Sequence, residues 1–543
     1  MNITAVIRGG GDLGTGVACH LRRLGVRVVI TELDCPKMVR HPVCLGYAVY
    51  NGVQRVEGLT ARLMSLEEAK HCWERPSGGI WDDIIPVVVD RDGNACEVLR
   101  PAVVCDCRML KLDVPDERSL APVVVGLGPG FCASCRWSEG SQDSDNANVD
   151  CVVETQRGEH LGDIITSGRA IANTGVPGVI GGESRRRLLR APQDGTFRAL
   201  RRIGEIIEAG TVVGHVGDLP VISAIGGRLR GLVHDGLQVR SGEKIGDCDP
   251  RGVAVSAFRI SDKSHAVGAS VAAWLQSLPD AVQERMQRHE EMAHPAAFVV
   301  VGTTEISLAN DIIAQMQGLG DARQAEHHLK FFKTAPGEYG AGDRFLGMTV
   351  PQVRAVSKQY AQVPLETVVA LLQSEYHEVR LCALQILVQQ FRRQKRSDRS
   401  GLVALYLALS SRVNNWDLVD LSVGILGEWL IDRERSLLFS LAHSDCMWCR
   451  RMAMVATQTL IKRGETEEAL SIAALLLPER EDLLHKAVGW MLREVGKQDE
   501  ALLKQFLRHH YDDMPRTALR YAIEKFPEED RRAWLKGPAK ADL

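Results

Sequence analysis

The sequence predicts a multidomain chain with an α/β domain first, a small all-β module second and an all-α repeat solenoid last. Three observations carry this. The first 130 residues hold five short β-branched runs, TAVIRGG, VRVVITEL, IIPVVVD, AVVCD and APVVVGLG, separated by helical or loop stretches, as in a parallel sheet with crossovers. From about Arg190 to Arg251, turn signals recur every few residues between short strand patterns. Past about residue 305 the strand signal almost vanishes and amphipathic helices such as PLETVVALLQ, EVRLCALQILVQQF and EEALSIAALLL take over. A length of 543 residues fits three or four domains at the usual ~100–200 residues each. The expected boundaries are 1–137 for the α/β domain and 150–275 for a glycine-rich region with the β module at about 188–252. A helix and linker follow over 276–304, and the helical domain spans 305–538.

In the first domain, AVIRGGGDLGTGVACHLRRLGVRVVITELD reads as strand, turn, helix and strand. Gly9, Gly11 and Gly14 fall in register with the dinucleotide-binding turn, and Glu32 ends the next β run where a ribose-binding acid would sit. The domain is therefore expected to be Rossmann-like, with a dinucleotide or nucleotide as candidate cofactor; a merely tight turn in a nucleotide fold explains the same glycines. Residues 138–149 are polar and aperiodic, which suggests a surface insertion. Glu154, Arg157 and His160 lie close together among glycines, as a polar site or as ordinary loop residues. The β module has the rhythm of a barrel-sandwich fold. At the turn where carriers of that fold bear a modified lysine it reads GGRLRG (Gly226–Gly231), so a swinging-arm role is not expected.

In the helical domain, HEVRLCALQIL, NNWDLVDLSVGIL, CRRMAMVATQTL, HKAVGWMLREV and PRTALRYAIEKF recur about every 35 residues, the signature of a HEAT-like solenoid. Trp416 and Asp420 are i and i+4 on one helix face; Lys486, Trp490 and Arg493 share a face of a later helix. Arg450 and Arg451 open the helix between these, and Arg516 and Arg520 lie i, i+4 on the last. Each tryptophan alone is more simply core, and Arg451 with Asp420 could tie one repeat to the next. Together they compose a binding cleft.

FFKTAPGEYGAGDRFLGMTVPQVR, NNWDLVD, CRRMAMV, KAVGWMLREVGK and MPRTALRYAIEKF resemble the DNA alkylation repair family typified by AlkD. The resemblance implies cleavage of the N-glycosidic bond of cationic alkylated purines such as 7-methylguanine and 3-methyladenine in double-stranded DNA, without a cofactor. It implies Asp420 as catalytic carboxylate, Trp416 and Trp490 as aromatic walls and Arg451 as a backbone contact near the lesion. Lys486, Arg493, Arg516, Arg520 and Arg450 are further candidates for phosphates. GGGDLGTGVA, AVYNGVQRVEG, VGLGPGF, VETQRGEHLG, NTGVPG, LRAPQDG and KIGDCDPRG resemble the YqeB-type accessory proteins of selenium-dependent molybdenum hydroxylase systems over roughly 1–275. That resemblance implies a molybdenum hydroxylase or its maturation factors as partner; the polar stretch near 138–149 departs from its pattern.

Net charge is −3, and the region beyond residue 301 is close to neutral, so bulk attraction to nucleic acid is excluded and any DNA contact must rest on a local patch. No run approaches ~18 apolar residues and the N-terminus lacks a signal-peptide pattern, so no membrane association and a cytoplasmic location are expected. The 14 cysteines are expected as reduced thiols with no metal site, since Cys105/Cys107, Cys132/Cys135 and Cys446/Cys449 lack matching partners at zinc spacing. Two classes of function remain: a DNA glycosylase fused to an accessory module, or an accessory protein whose repeats are a non-catalytic docking scaffold.

Overall fold

Each of the five β-branched runs forms a strand of one sheet. The computed structural model describes residues 3–73, 83–91, 93–112, 114–137, 147–173, 175, 178–294 and 303–537. Its strands are β1 (Thr4–Arg8), β2 (Arg27–Glu32), β3 (Val53–Val56), β4 (Leu59–Met64), β5 (Ile84–Val89), β6 (Val103–Asp106), β7 (Val123–Leu127), β8 (Cys132–Ser134), β9 (Cys151–Val153) and β10 (Ile164–Ile165). Nine of them order as β10-β9-β7-β6-β1-β2-β5-β4-β3. All neighbours from β9 to β4 run parallel, and the two edge strands are antiparallel. Helices cover both faces, which is why the central strands are continuously apolar rather than alternating. AVYNGVQRVEG supplies β3 and the turn of the β3–β4 hairpin, at Glu57 and Gly58, both at positive φ. The polar stretch 138–146 lies outside the described residues.

The helices Asp12–Arg23 and Asp262–Gln276 pack on one face of the sheet. They touch through glycine: a Cβ on Gly16 would stand 2.3 Å from the carbonyl oxygen of Ser264, and one on Gly268 2.3 Å from that of Gly16. The stretch 276–304, expected as a helix and linker, contains a helix that packs on the sheet domain. Asp280–Ala293 is a helix whose Val282 and Met286 are buried in the same core. Its Glu290 is wholly buried and accepts hydrogen bonds from the backbone N–H (3.0 Å) and hydroxyl (2.6 Å) of Thr4. Arg27 lies 3.4 Å from the other carboxylate oxygen. A buried carboxylate needs such partners, so this helix is part of the domain.

Residues 188–249 form two four-stranded antiparallel sheets over a shared core that includes Phe197, Val213, Leu229 and Ile245. Gly227–Leu232 is a central strand of this module, not an exposed turn, because Leu229 and Leu232 are core residues. The chain divides into two compact units, Met1–Val301 and Gly302–Leu543.

The second unit is helical throughout its described residues apart from connecting segments. Short first helices alternate with a row of second helices: His377–Arg393, Trp416–Ser422, Met447–Ala456, Asp482–Gln498 and Arg516–Ala522. Each second helix packs on the next. One device recurs. Arg380 donates to the carbonyls of Ser374 (3.0 Å) and Glu375 (3.1 Å), and Arg450 donates to those of Ser444 (2.8 Å) and Asp445 (3.0 Å). In both repeats the arginine satisfies carbonyls of the turn before its own helix.

Gly268→Val should lower the thermal transition of the N-terminal half by an amount equal to roughly 1–3 kcal/mol, since the helices must part to admit the side chain. Calorimetry of the full chain checks this, and an unchanged transition would refute the close approach.

Candidate active site

The glycine turn after β1 is largely filled by the protein itself. Gly9 has φ +94°, and a Cβ on Gly14 would lie 2.0 Å from the Gly9 carbonyl oxygen, so the turn tolerates only glycine there. Glu32 accepts the Gly10 N–H at 2.6 Å, and burial pushes its pKa up against the pull of the Gly10 and Leu33 N–H groups. The carboxylate expected to await a ribose is thus engaged in closing the turn. Asp12, in the first turn of the helix, pairs with Arg40 at 2.6 Å. Gly11 alone faces open space. Glu154, Arg157 and His160 do not converge: Glu154 takes backbone N–H groups, Arg157 pairs with Asp262 and His160 with Asp163. Among the described residues no cluster of His, Cys, Asp or Glu suits a metal.

In the helical unit, Asp420 and Arg451 come from adjacent second helices and meet. Arg451 is buried and donates to both carboxylate oxygens of Asp420, at 3.0 and 2.8 Å, and to the Leu483 carbonyl at 2.5 Å. Burial pushes the Asp420 pKa up, opposed by Arg451. Fork-to-carboxylate pairing fixes the orientation of the acid. Arg451, read from the sequence as a backbone contact, is here the clamp that aims Asp420.

One turn before Asp420, Trp416 is half-buried in an aromatic cluster that sequence reasoning missed. Phe332 stacks on it with ring centroids 5.7 Å apart, and Phe331, more than half exposed, meets it edge-on at 6.1 Å. Burial raises the Tyr339 pKa, opposed by the neighbouring Trp416 indole and the charge of Lys486. Tyr339 in turn lies 6.1 Å from Trp448. FFKTAPGEYG held these residues in plain view, but they precede the first regular repeat, and periodicity gives no reason to fold them onto Trp416.

Beneath the cluster runs a buried polar chain. His377 contacts Asp417 at 2.8 Å and Asp343 at 3.3 Å, and Arg380 donates to Asp343 at 2.7 Å. Burial alone would lower the His377 pKa, but the two aspartates outweigh it and raise it to about 9. Asp343 is held below the ordinary carboxylate range, because His377 and Arg380 overcome its burial. The imidazolium also packs beside the stacked Phe332 and Phe345 rings, with centroids at 4.8 and 4.9 Å.

The other candidates separate. Trp490 is half-buried on the helix that follows Arg451. Lys486, one turn before it, pairs with Asp482 at 2.8 Å, and its charge is felt at Tyr339. Arg520 is exposed, and Arg516 donates to the Leu535 carbonyl. Arg493 is engaged with Glu524. Arg450 is buried and bonds Glu481 at 2.9 Å besides its two carbonyls, so it holds repeats together and is corrected from a phosphate ligand to a structural tie.

With this geometry in place, the comparisons bear on it directly. Residues 312–526 match the DNA alkylation repair enzyme family. That segment contains Trp416, Asp420, Arg451 and Trp490. Over 269 residues of the N-terminal half the chain is 39% identical to the uncharacterized protein YqeB of Escherichia coli K12, covering 49% of this chain and 46% of that protein. The chain thus spans less than half the length of this curated relative. Among solved structures, a "predicted DNA alkylation repair enzyme" from Enterococcus faecalis aligns at 17% identity and TM-score 0.33, covering 38% of this chain and 97% of its own. AlkD2 from Streptococcus mutans aligns at 15% and TM-score 0.26, covering 40% and 99%.

The raised His377 pKa has a consequence for stability. A histidine that binds its proton more tightly when folded contributes fully below its unfolded pKa near 6.5, and the contribution is lost as pH rises through about 9. The helical unit should lose up to about 3 kcal/mol across that window, at ~1.36 kcal/mol per pH unit. His377→Gln should flatten the profile. A wild-type urea midpoint constant from pH 6.5 to 9 would contradict a buried imidazolium.

Proposed function

We propose that the C-terminal half is a DNA glycosylase that excises cationic alkylated purines, of the 7-methylguanine and 3-methyladenine kind, from double-stranded DNA. The observation that carries the reading is Asp420, clamped through both oxygens by buried Arg451 and one turn from Trp416 in an aromatic cluster. An alkylated purine is already a cation and leaves with the electrons of its bond to C1′ as a neutral base, so it needs no general acid. Positive charge then develops on the sugar, where an anion in a poorly solvated site stabilises it most. Asp420 supplies that anion and orients the water whose oxygen bonds C1′; the water proton passes to the carboxylate or to solvent. Trp416 and Trp490 offer electron-rich faces to a cationic nucleotide. Lys486, Arg516 and Arg520 provide local positive charge for phosphates on a neutral domain. No cofactor enters the reaction.

The test is release of 7-methylguanine from a methylated duplex. Asp420→Asn should lower excision by about 10²-fold or more while duplex binding changes little. Release at the wild-type rate by the variant would refute the assignment. Because burial raises the Asp420 pKa, wild-type activity should fall on the acid side at a higher pH than a free carboxylate sets. Arg451→Ala, which removes the opposing pull, should move that limb higher still and slow the reaction. An unmoved limb would show that Arg451 does not act through Asp420.

The Asp420–Arg451 pair also spans two repeats, which favours a second reading in which the repeats are a scaffold. Absence of release by folded wild type would select it. For residues 1–275 we propose a role beside a molybdenum hydroxylase or its maturation factors, supported by the YqeB likeness. A dinucleotide at the glycine turn is supported by the open space beside Gly11 and opposed by the charge of Asp12.

A further inference from the structure

At the N-terminal ends of β6 and β7 the first unit has a cleft of about 1270 Å³, walled on one side by the helix Asp280–Ala293. Five arginines from four segments line it: Arg100, Arg118, Arg136, Arg285 and Arg288, against one acid, Glu97. Arg118 is committed to Asp116, and Arg136 grips both oxygens of Asp150 at 2.6 and 2.7 Å. Arg100, Arg285 and Arg288 have no carboxylate partner among the described residues. Converging like charges destabilise a fold unless a ligand answers them.

The backbone of Arg100 and the side chains of Arg136 and Arg285 are held in place. Arg100 caps the helix Asn94–Leu99 at φ +43°, ψ +61°, a left-handed conformation that costs an arginine more than a glycine. Its carbonyl receives a hydrogen bond from His289 at 3.1 Å, which ties it to the opposite wall. Arg136 and Arg285 both lie over the Trp137 ring, at 5.7 and 5.3 Å, and Arg285 also donates to the Pro122 carbonyl. Burial lowers the His289 pKa, leaving that wall residue a neutral donor. Met292, 70% exposed, gives the cleft an apolar rim beside the guanidinium groups.

We propose that this cleft binds a small organic polyphosphate of the nucleoside di- or triphosphate class. The guanidinium groups of Arg100, Arg285 and Arg288, none of them paired with a carboxylate among the described residues, take the phosphates, as planar forks suit them. The apolar rim at Met292 and Leu120 suits a ring, which inorganic phosphate lacks. The site is separate from the glycine turn, which follows the C-terminal end of β1 while Arg100 and Pro122 precede parallel β6 and β7. It is also independent of the glycosylase reading.

Equilibrium dialysis of the full chain with radiolabelled ADP and ATP tests the proposal. One nucleotide per chain is expected, displaced by pyrophosphate. Arg285→Glu with Arg288→Glu, both exposed on a helix surface, should weaken binding by at least about tenfold with the fold intact by circular dichroism. Arg100→Ala should also weaken it, and provides the reading if the double variant is unstable. Gly11→Asp should leave it unchanged. Nucleotide binding abolished by Gly11→Asp and retained by the arginine variants would overturn the proposal by placing the ligand at the glycine turn. Stoichiometric displacement by a plain DNA duplex would overturn it in favour of nucleic acid, and no retention at about 1 mM would overturn it outright.

Discussion

Where one second helix of the C-terminal half meets the next, buried charges must find partners across the seam, because water cannot reach them. Asp417 answers His377, Asp420 answers Arg451, and Glu481 answers Arg450. Each pair joins residues about one repeat apart, so the charges fix the register of the stack as well as satisfying one another. Removing one partner would strand the other, which makes these pairs costly to break even where their net contribution is small. The catalytic proposal grows from the same constraint. Asp420 is a repeat-spanning acid that also stands one turn from Trp416, and the rigidity that the stack requires is the rigidity a preorganised anion requires.

The N-terminal half meets a comparable demand with backbone. Its parallel sheet pairs main-chain groups across the centre of the fold, and its helices approach through glycines where side chains would collide. Polar groups that enter this interior do so in company: Glu290 with Thr4 and Arg27, Glu32 with the Gly10 N–H, Asp150 with Arg136. At the surface the arginine-lined cleft differs, since Arg100, Arg285 and Arg288 have no carboxylate partner among the described residues.

The central strands and the repeat helices were legible in the sequence because each obeys a short-range rule, the apolar run for a doubly covered strand and the helical period for the solenoid. The meeting of Asp420 with Arg451 followed from spacing alone only as one of two readings. What stayed hidden depends on long-range closure. Phe332 and Tyr339 lie outside the repeat, so nothing local points them at Trp416. Nothing local marks Asp343 and Asp417 as partners of His377, which lies between them. The docking of helix Asp280–Ala293 on the sheet was hidden because only three of its residues, Val282, Met286 and Glu290, are buried. The cleft arginines come from four separate stretches, and no window of sequence contains them together.

The hydrogen bonds between Thr4 and Glu290 join the first strand of the N-terminal half to its last helix, 286 residues later. During synthesis the central strand β1 therefore waits, with this part of its surroundings missing, until almost the whole unit has left the ribosome. The helical half has no such dependence, since each repeat can dock on its predecessor as it emerges. One chain thus carries two assembly schedules, an all-at-once closure followed by stepwise growth. The exposed strands of the waiting sheet are the interval in which a chaperone would find most to hold.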